Sequence, residues 1–355
     1  MTDGDRSAAR RLVLAHGWNA VAYQILNPGM RYWFARAGDA VAGYARFAGV
    51  RVVAGAPVCA PDRLTAAAAE LEDDAAAHGE RVMYFGAGGR LERVYAARSD
   101  HCLVPLGAQP TWEPSAWPAI VRRKASLRAQ LNRARNKGVR VEEWPARRAA
   151  ASPALRSVLA DWLGTRGLPP LEFLVTPTLL DSLDDRRVFV ASRAGRVVAF
   201  LVGTPIPARR GWLVEEWPRV PDAPNGTTHS LVDAAMRAFA SDDAHYVTLG
   251  LAPLSERGGH GLQGQPLWLR MLLRWMRAHA RRFYNFRGLE AFKASLQPMR
   301  WEPIFAIAPG RSISLRMLRA VGGAFSGGSP ELLAGRALLH AVREEVRRAR
   351  SLRSR

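Results

Sequence analysis

The sequence predicts an α+β chain in which one plan is used twice, each copy a mixed sheet flanked by helices. Two runs of elements carry this reading. Between Arg31 and Ala87 the alternation gives a strand (RYWFARAG), a turn at Gly38-Asp39, a second strand (AVAGYARF), a third (VRVVAGAPV), a helix after Pro61-Asp62, and a strand (RVMYFGA). Between Arg186 and Ala252 the order returns: RRVFVASR, a turn at Gly195, RVVAFLVG, GWLVEEW, a helix from about Thr228, and HYVTLGLA. Short turns join strands antiparallel, whereas a helical crossover returns the chain parallel. The expectation is therefore two sheets of the same strand order, side by side.

A chain of 355 residues is long enough for two such packed units. We divide it as residues 1–115, a first unit; 116–145, a basic linking helix; 146–310, a second unit holding the active site; and 311–355, a basic helical tail. The linking helix, expected from Trp117 to Lys137, belongs to a stretch with eight Arg or Lys from Arg122 to Arg140 and no acid between Glu113 and Glu142. Ile120, Leu127, Leu131 and Ala134 fall at helical spacing, which leaves the cations on the opposite face. A solvated charged helix normally intersperses acids, so this face reads as an anion-binding one, with Arg122, Arg123, Lys124 and Arg128 as substrate contacts. In the tail, Ser329-Pro330-Glu331 is a helix start and Leu332, Leu339, Val342 and Val346 form an apolar stripe. Such a basic amphipathic helix suits anionic lipid, tRNA or its own domain.

The net charge is +20, and only three of its cations are lysines, Lys124, Lys137 and Lys293. A GC-rich genome explains the choice of Arg over Lys but not the excess over acids, which predicts a polyanionic partner, nucleic acid or an anionic membrane. Cys59 and Cys102 have no metal-ligand spacing, so neither a zinc site nor a disulfide scaffold is expected, and a reducing cytoplasm fits. The N-terminal residues do not read as a signal peptide. The longest apolar run, Val197 to Pro207, falls short of the roughly 20 residues of a spanning helix, so a cytoplasmic location against the inner membrane face is expected.

Antiparallel strands, a helix and a parallel returning strand resemble the Gcn5-related N-acetyltransferase plan, and two copies make a tandem, or dual, acyltransferase fold. Coenzyme A-dependent members of that fold hold the pyrophosphate on a Gly-rich loop of backbone N–H groups. Here the corresponding loops are Ala56-Pro57-Val58-Cys59-Ala60-Pro61 and Pro221-Asp222-Ala223-Pro224-Asn225-Gly226-Thr227-Thr228. Proline supplies no N–H and Asp222 repels a diphosphate. No cofactor is expected, coenzyme A included, and another activated acyl donor is required.

An ordered series of motifs then becomes specific: Glu216-Trp217-Pro218-Arg219, Ala223-Pro224-Asn225-Gly226, Leu249-Gly250-Leu251-Ala252-Pro253-Leu254-Ser255, Phe283-Tyr284-Asn285-Phe286-Arg287-Gly288-Leu289 with Lys293, and Trp301-Glu302-Pro303. From about Arg31 to Pro309 the chain resembles the soluble catalytic domain of the lysylphosphatidylglycerol synthase family, in a divergent branch without the flippase part. The resemblance implies transfer of an aminoacyl group, lysyl or alanyl, from aminoacyl-tRNA to the hydroxyl of phosphatidylglycerol or a related anionic lipid, and implies no lipid translocation.

It also implies a catalytic set. The family's acid and arginine three residues apart match Glu216, an orienting group or base, and Arg219, a phosphate fork. Glu215, by strand alternation, faces the other way. Lys293 matches the family's lysine, a point charge for a phosphate. The three are expected at one pocket wall, with Asn225, Tyr284 and Asn285 binding substrate and no metal. The departures are Glu216 for Asp, Pro218 for Met, Ser295 for a second lysine, Leu296 for Phe, and one extra residue between Pro298 and Trp301. They leave a peptide, an amine or another lipid open as acceptor, and a non-catalytic tRNA- or membrane-binding protein as the rival reading.

Overall fold

The computed structural model describes residues 3–164, 173, 179–259, 267–271 and 286–326. After an N-terminal helix, α1 (Asp3–His16), the first half contains β1 (Arg31–Phe34), β2 (Val41–Phe47), β3 (Val50–Ala54), α2 (Leu64–Ala77), β4 (Arg81–Ala87), α3 (Gly89–Tyr95) and β5 (His101–Trp112). Helices α4 (Trp117–Arg123) and α5 (Ala125–Asn136) follow. The second half runs β6 (Val139–Trp144), α6 (Ala146–Ala150), α7 (Pro153–Gly164), β7 (Arg187–Arg193), β8 (Arg196–Ile206), β9 (Gly211–Glu216), α8 (Thr227–Ser241), β10 (Tyr246–Thr248), β11 (Ala252–Pro253), α9 (Phe286–Ser295) and β12 (Arg300–Pro309), and α10 (Leu315–Phe325) closes it.

Both copies of the plan are present, but they do not form two sheets. One twelve-stranded sheet runs β1-β2-β3-β4-β12-β5-β10-β9-β8-β7-β6, with β11 on β5. The fusion comes from an exchange of last strands. β5 ends the first half yet pairs antiparallel with β10 of the second, and β12 ends the second yet pairs antiparallel with β4 of the first. β5 and β12 pair with each other from Arg300↔Thr111 to Pro309↔His101. Each half would otherwise end on a bare ladder edge; the exchange satisfies both.

The packing follows the pleat. In the first half, Val53, Tyr84 and Ile307 face α2 and α3, while Val52, Met83 and Ala306 face α1 and α10, as alternation requires. β3 is buried along its whole length, as expected of a strand in a parallel pair covered on both faces, and its one charged residue, Arg51, is paired with Asp74 and Glu80. Helix α2 buries Leu64, Ala67, Ala68, Leu71 and Ala75, a stripe of mostly small side chains that brings it close to the sheet. The second half has its own core, in which Trp212 stacks on Phe239 at 5.0 Å and Phe239 lies against Gly203. Bidentate bonds from Arg10 to Asp185, 2.7 and 2.5 Å, tie α1 to the second half.

The expected linking helix is two helices. Lys124 leaves the helical region at φ −93°, ψ 97° and separates α4 from α5. Arg128 folds back and donates to the carbonyls of Val121 and Arg122, covering acceptors that the break exposes. Ile120, Leu127 and Ala134 are buried and Leu131 is half-buried, so the apolar face is as expected. The tail helix expected from Ser329 lies outside the described residues. Among those residues no helix is long and apolar enough to cross a membrane.

Candidate functional site

The candidate opening of the second half is where two parallel strands part. β9 and β10 pair over three positions, Tyr246↔Gly211 to Thr248↔Leu213. Beyond Thr248 the chain turns away at Leu249-Gly250, with Gly250 at φ +69°, while β9 runs on to Glu216 paired on its β8 side. The gap between the diverging strands is where an α/β plan exposes backbone and admits ligands.

Helix α9 fills the gap from one side. Lys293 is 2% exposed, and its Nζ donates to the carbonyls of Gly250 at 2.9 Å and Leu251 at 2.8 Å. Burial pushes its amine down to about 7. A buried lysine held on backbone carbonyls differs from a cation on the rim of an open pocket: it fixes the turn that ends β10 and is close to proton balance at neutral pH. The preceding Phe292 packs on Trp217, 5.7 Å between ring centroids, and on His229, 5.3 Å. The helix bearing Lys293 is thereby drawn to the residue after Glu216 and to the first turn of α8. Burial lowers the pKa of His229, which keeps the imidazole neutral.

Glu216 is half-buried at the end of β9, paired with Val202. Arg219 is exposed, its backbone bridging to Ala199. The elements carrying Glu216 and Lys293 therefore meet, and Arg219 lies on the continuation of β9 at the surface. The side chain of Glu215 and both Tyr284 and Asn285 lie outside the described residues.

α8 begins at Gly226, whose φ of +94° suits glycine and whose Cβ, if present, would sit 2.2 Å from the carbonyl oxygen of Gln130 on α5. This close approach sets the basic helices against the opening. Arg122 and Arg123 are exposed and Lys124 half-buried; among the described residues none of them has an acidic partner. Arg128 is exposed too, though its guanidinium is engaged on α4. Asn225 lines a surface recess of about 300 Å³ with Lys137, Arg193 and Asp222, apart from Lys293.

Sequence reasoning missed a cluster at the junction of the halves. Glu302 of β12 takes two bonds from Arg209, both 2.8 Å, one from Gln109 of β5 at 3.1 Å and one from Tyr246 of β10 at 3.0 Å. Burial pushes its carboxyl up, yet the Arg209 bonds outweigh this and hold it below the usual range. Trp301-Glu302-Pro303 stood out as a motif, but the strands that assemble the cluster were hidden by their prolines. Among the described residues no group of His, Cys, Asp and Glu could hold a metal.

A family model described as phosphatidylglycerol lysyltransferase, C-terminal, matches residues 10–308. The C-terminal domain of a putative lysylphosphatidylglycerol synthetase from Agrobacterium fabrum superposes with a TM-score of 0.77 at 22% identity, covering 92% of this chain and 98% of that one. L-PGS from Bacillus licheniformis gives 0.74 at 20% identity, covering 93% and 97%. A conserved protein of unknown function from Bacteroides thetaiotaomicron gives 0.61 at 14% identity, covering 87% and 98%. No functionally curated protein matches the sequence.

Proposed function

From the premise that this chain belongs to the phosphatidylglycerol lysyltransferase C-terminal family, and is an acyltransferase of that kind, we propose that it moves an aminoacyl group, lysyl or alanyl, from aminoacyl-tRNA to the glycerol hydroxyl of phosphatidylglycerol. The observation that carries the donor is the row of cations without acidic partners on α4 and α5, set against the start of α8 by Gly226. A phosphate backbone is the polyanion such a row suits.

In this reading the lipid hydroxyl attacks the ester carbonyl of the charged tRNA. The bond from acyl carbon to the tRNA ribose oxygen breaks, a bond to the glycerol oxygen forms, and the proton passes from the glycerol hydroxyl to the departing ribose oxygen. The charged tRNA ester is already activated, so positioning and charge stabilisation supply the rate. Glu216 orients the attacking hydroxyl or takes its proton. Arg219, exposed beside it, grips phosphate through a two-pronged contact. Lys293 positions the Gly250-Leu251 turn at the end of β10. Arg122, Arg123 and Lys124 hold the tRNA backbone, while Asn225 contacts substrate at the adjoining recess. The enzyme works at the cytoplasmic membrane face and needs no coenzyme A.

The test is lipid extraction from cells with and without the gene, followed by mass spectrometry. A new aminoacylated phosphatidylglycerol that disappears with the gene supports the proposal. Unchanged lipids together with an aminoacylated peptide or amine would move the acceptor and keep the donor.

A further inference from the structure

The first half also has a mouth beside its parallel strands, formed by the loop after β3, the start of α2 and the end of β4. It is a recess of about 30 Å³ lined by His16, Trp18, Asn19, Cys59, Gly88 and Arg90, among others. At roughly 10–15 Å³ per water-sized group, it has room for about two oxygens and none for an acyl chain.

The charges around it do not cancel. The guanidinium carbons of Arg90 and Arg209 both lie over the Trp18 ring, 4.5 and 4.3 Å from its centroid. Arg209 is matched by the two bonds to Glu302. Among the described residues Arg90 has no carboxylate partner and no hydrogen-bond acceptor, although a guanidinium offers five donors. Its proton is held less firmly than usual, first through burial and then through Arg209 and Arg93. Of the other polar groups at the recess, Asn19 is already engaged. Asn19 donates to Gly86 O at 3.1 Å and accepts from Val21 N at 3.0 Å, and the neighbouring Arg63 is shared by Asp39 and Glu70, both at 2.8 Å. Asp62 is exposed, and burial raises the Cys59 thiol to about 11, so it stays protonated.

We infer that this recess is a binding site for a compact phosphate-type oxyanion, with Arg90, stacked on Trp18, as the fork that receives it. Two anion oxygens match the room available and the paired N–H groups of the fork. The anion would supply the negative charge that the Arg90–Arg209 pair lacks. This site stands apart from the transfer chemistry of the second half. Its phosphate is either a lipid headgroup at the membrane surface or a free ion.

The experiment uses the full chain and its Arg90→Gln and Arg90→Lys variants. Thermal unfolding and calorimetry are followed in inorganic phosphate against sodium chloride at matched ionic strength, since a ligand that binds the folded state raises its melting temperature. Phosphate is expected to stabilise the wild type. Arg90→Gln should bind it at least tenfold more weakly and Arg90→Lys should fall between. In chloride Arg90→Gln should melt no lower than wild type, because it removes a half-buried charge that nothing compensates. Cosedimentation with phosphatidylglycerol–phosphatidylcholine vesicles then separates the sources. Vesicle binding that depends on Arg90 and is displaced by phosphate identifies a headgroup; vesicle binding indifferent to Arg90, beside a phosphate response that needs it, identifies the free ion. Equal phosphate responses in wild type and Arg90→Gln would overturn the inference, as would no response in wild type to either source. A fall in the chloride melting temperature of Arg90→Gln with phosphate binding unchanged would mark Arg90 as a packing residue instead.

Discussion

The two halves run the same order of elements but treat their parallel strand pairs differently. In the first half β3 and β4 stay zipped over five positions, and Gly55 N extends the ladder onto Phe85 O at 2.8 Å. In the second half the β9–β10 ladder stops after three positions, leaving β9 to run on beside a gap. The first mouth is consequently a narrow recess with a stacked arginine. In the second the strands part at a turn whose carbonyls are held by a buried lysine. Where the hydrogen-bond ladder ends, rather than the strand order, sets how far the two parallel strands part.

The largest test of this comparison separates the halves. Because each half completes its sheet with the other's last strand, residues 1–115 and 116–355 produced alone should fail to fold cooperatively, and together they should form a soluble complex. Circular dichroism melts would show it. A cooperative melt from residues 1–115 alone would mean that the exchange is incidental.

Next is the proton balance of Lys293. An ordinary lysine keeps its proton to about pH 10.4, whereas the buried Lys293 releases it near 7. Below pH 7 folded and unfolded chains both hold the proton and the burial penalty is complete. Between about 7 and 10.4 the unfolded chain binds the extra proton, so stability climbs with pH. Relative to Lys293→Met, the wild type should gain a few kcal/mol across that window at about 1.4 kcal/mol per pKa unit, measured by denaturant melts. A flat difference would mean that the amine stays charged.

The smallest effect sets two glycines against each other. Gly226→Ala combines a left-handed backbone with a contact to Gln130, and should cost about 2 kcal/mol or more. Gly79→Ala, at φ +69° with open space around it, should cost about 1 kcal/mol. Equal melting temperatures for the two variants would remove the argument that α5 is pinned to the opening.

Much of this architecture was legible in the residues. The strands from Arg31 to Ala87 and from Arg187 to Thr248 are short apolar or half-apolar runs between Gly-Asp or Gly turns, so pattern and turn signals find them. β5 and β12 were not legible, since Pro105, Pro110, Pro303 and Pro309 read as loop residues. Pro105 sits opposite Phe305 at a register shift, where a missing N–H is tolerated. Without those two strands the fusion of the halves could not be foreseen. In the site, Glu216 at a strand end and Lys293 on a short helix were identified by motif, but the burial of Lys293 depends on the turn at Gly250, a long-range fact. Helix continuity across Lys124 is the apolar spacing's natural reading; the break becomes visible only with the Arg128 side chain in place.

The central claim is that the second opening carries aminoacyl transfer. It is tested most directly by following labelled amino acid from charged tRNA into phosphatidylglycerol vesicles, comparing wild type with Glu216→Gln and Arg219→Ala. The expected result is lipid labelling by wild type, a fall of about two orders of magnitude or more in each variant, and unchanged melting temperatures. Full labelling by both variants would contradict the account.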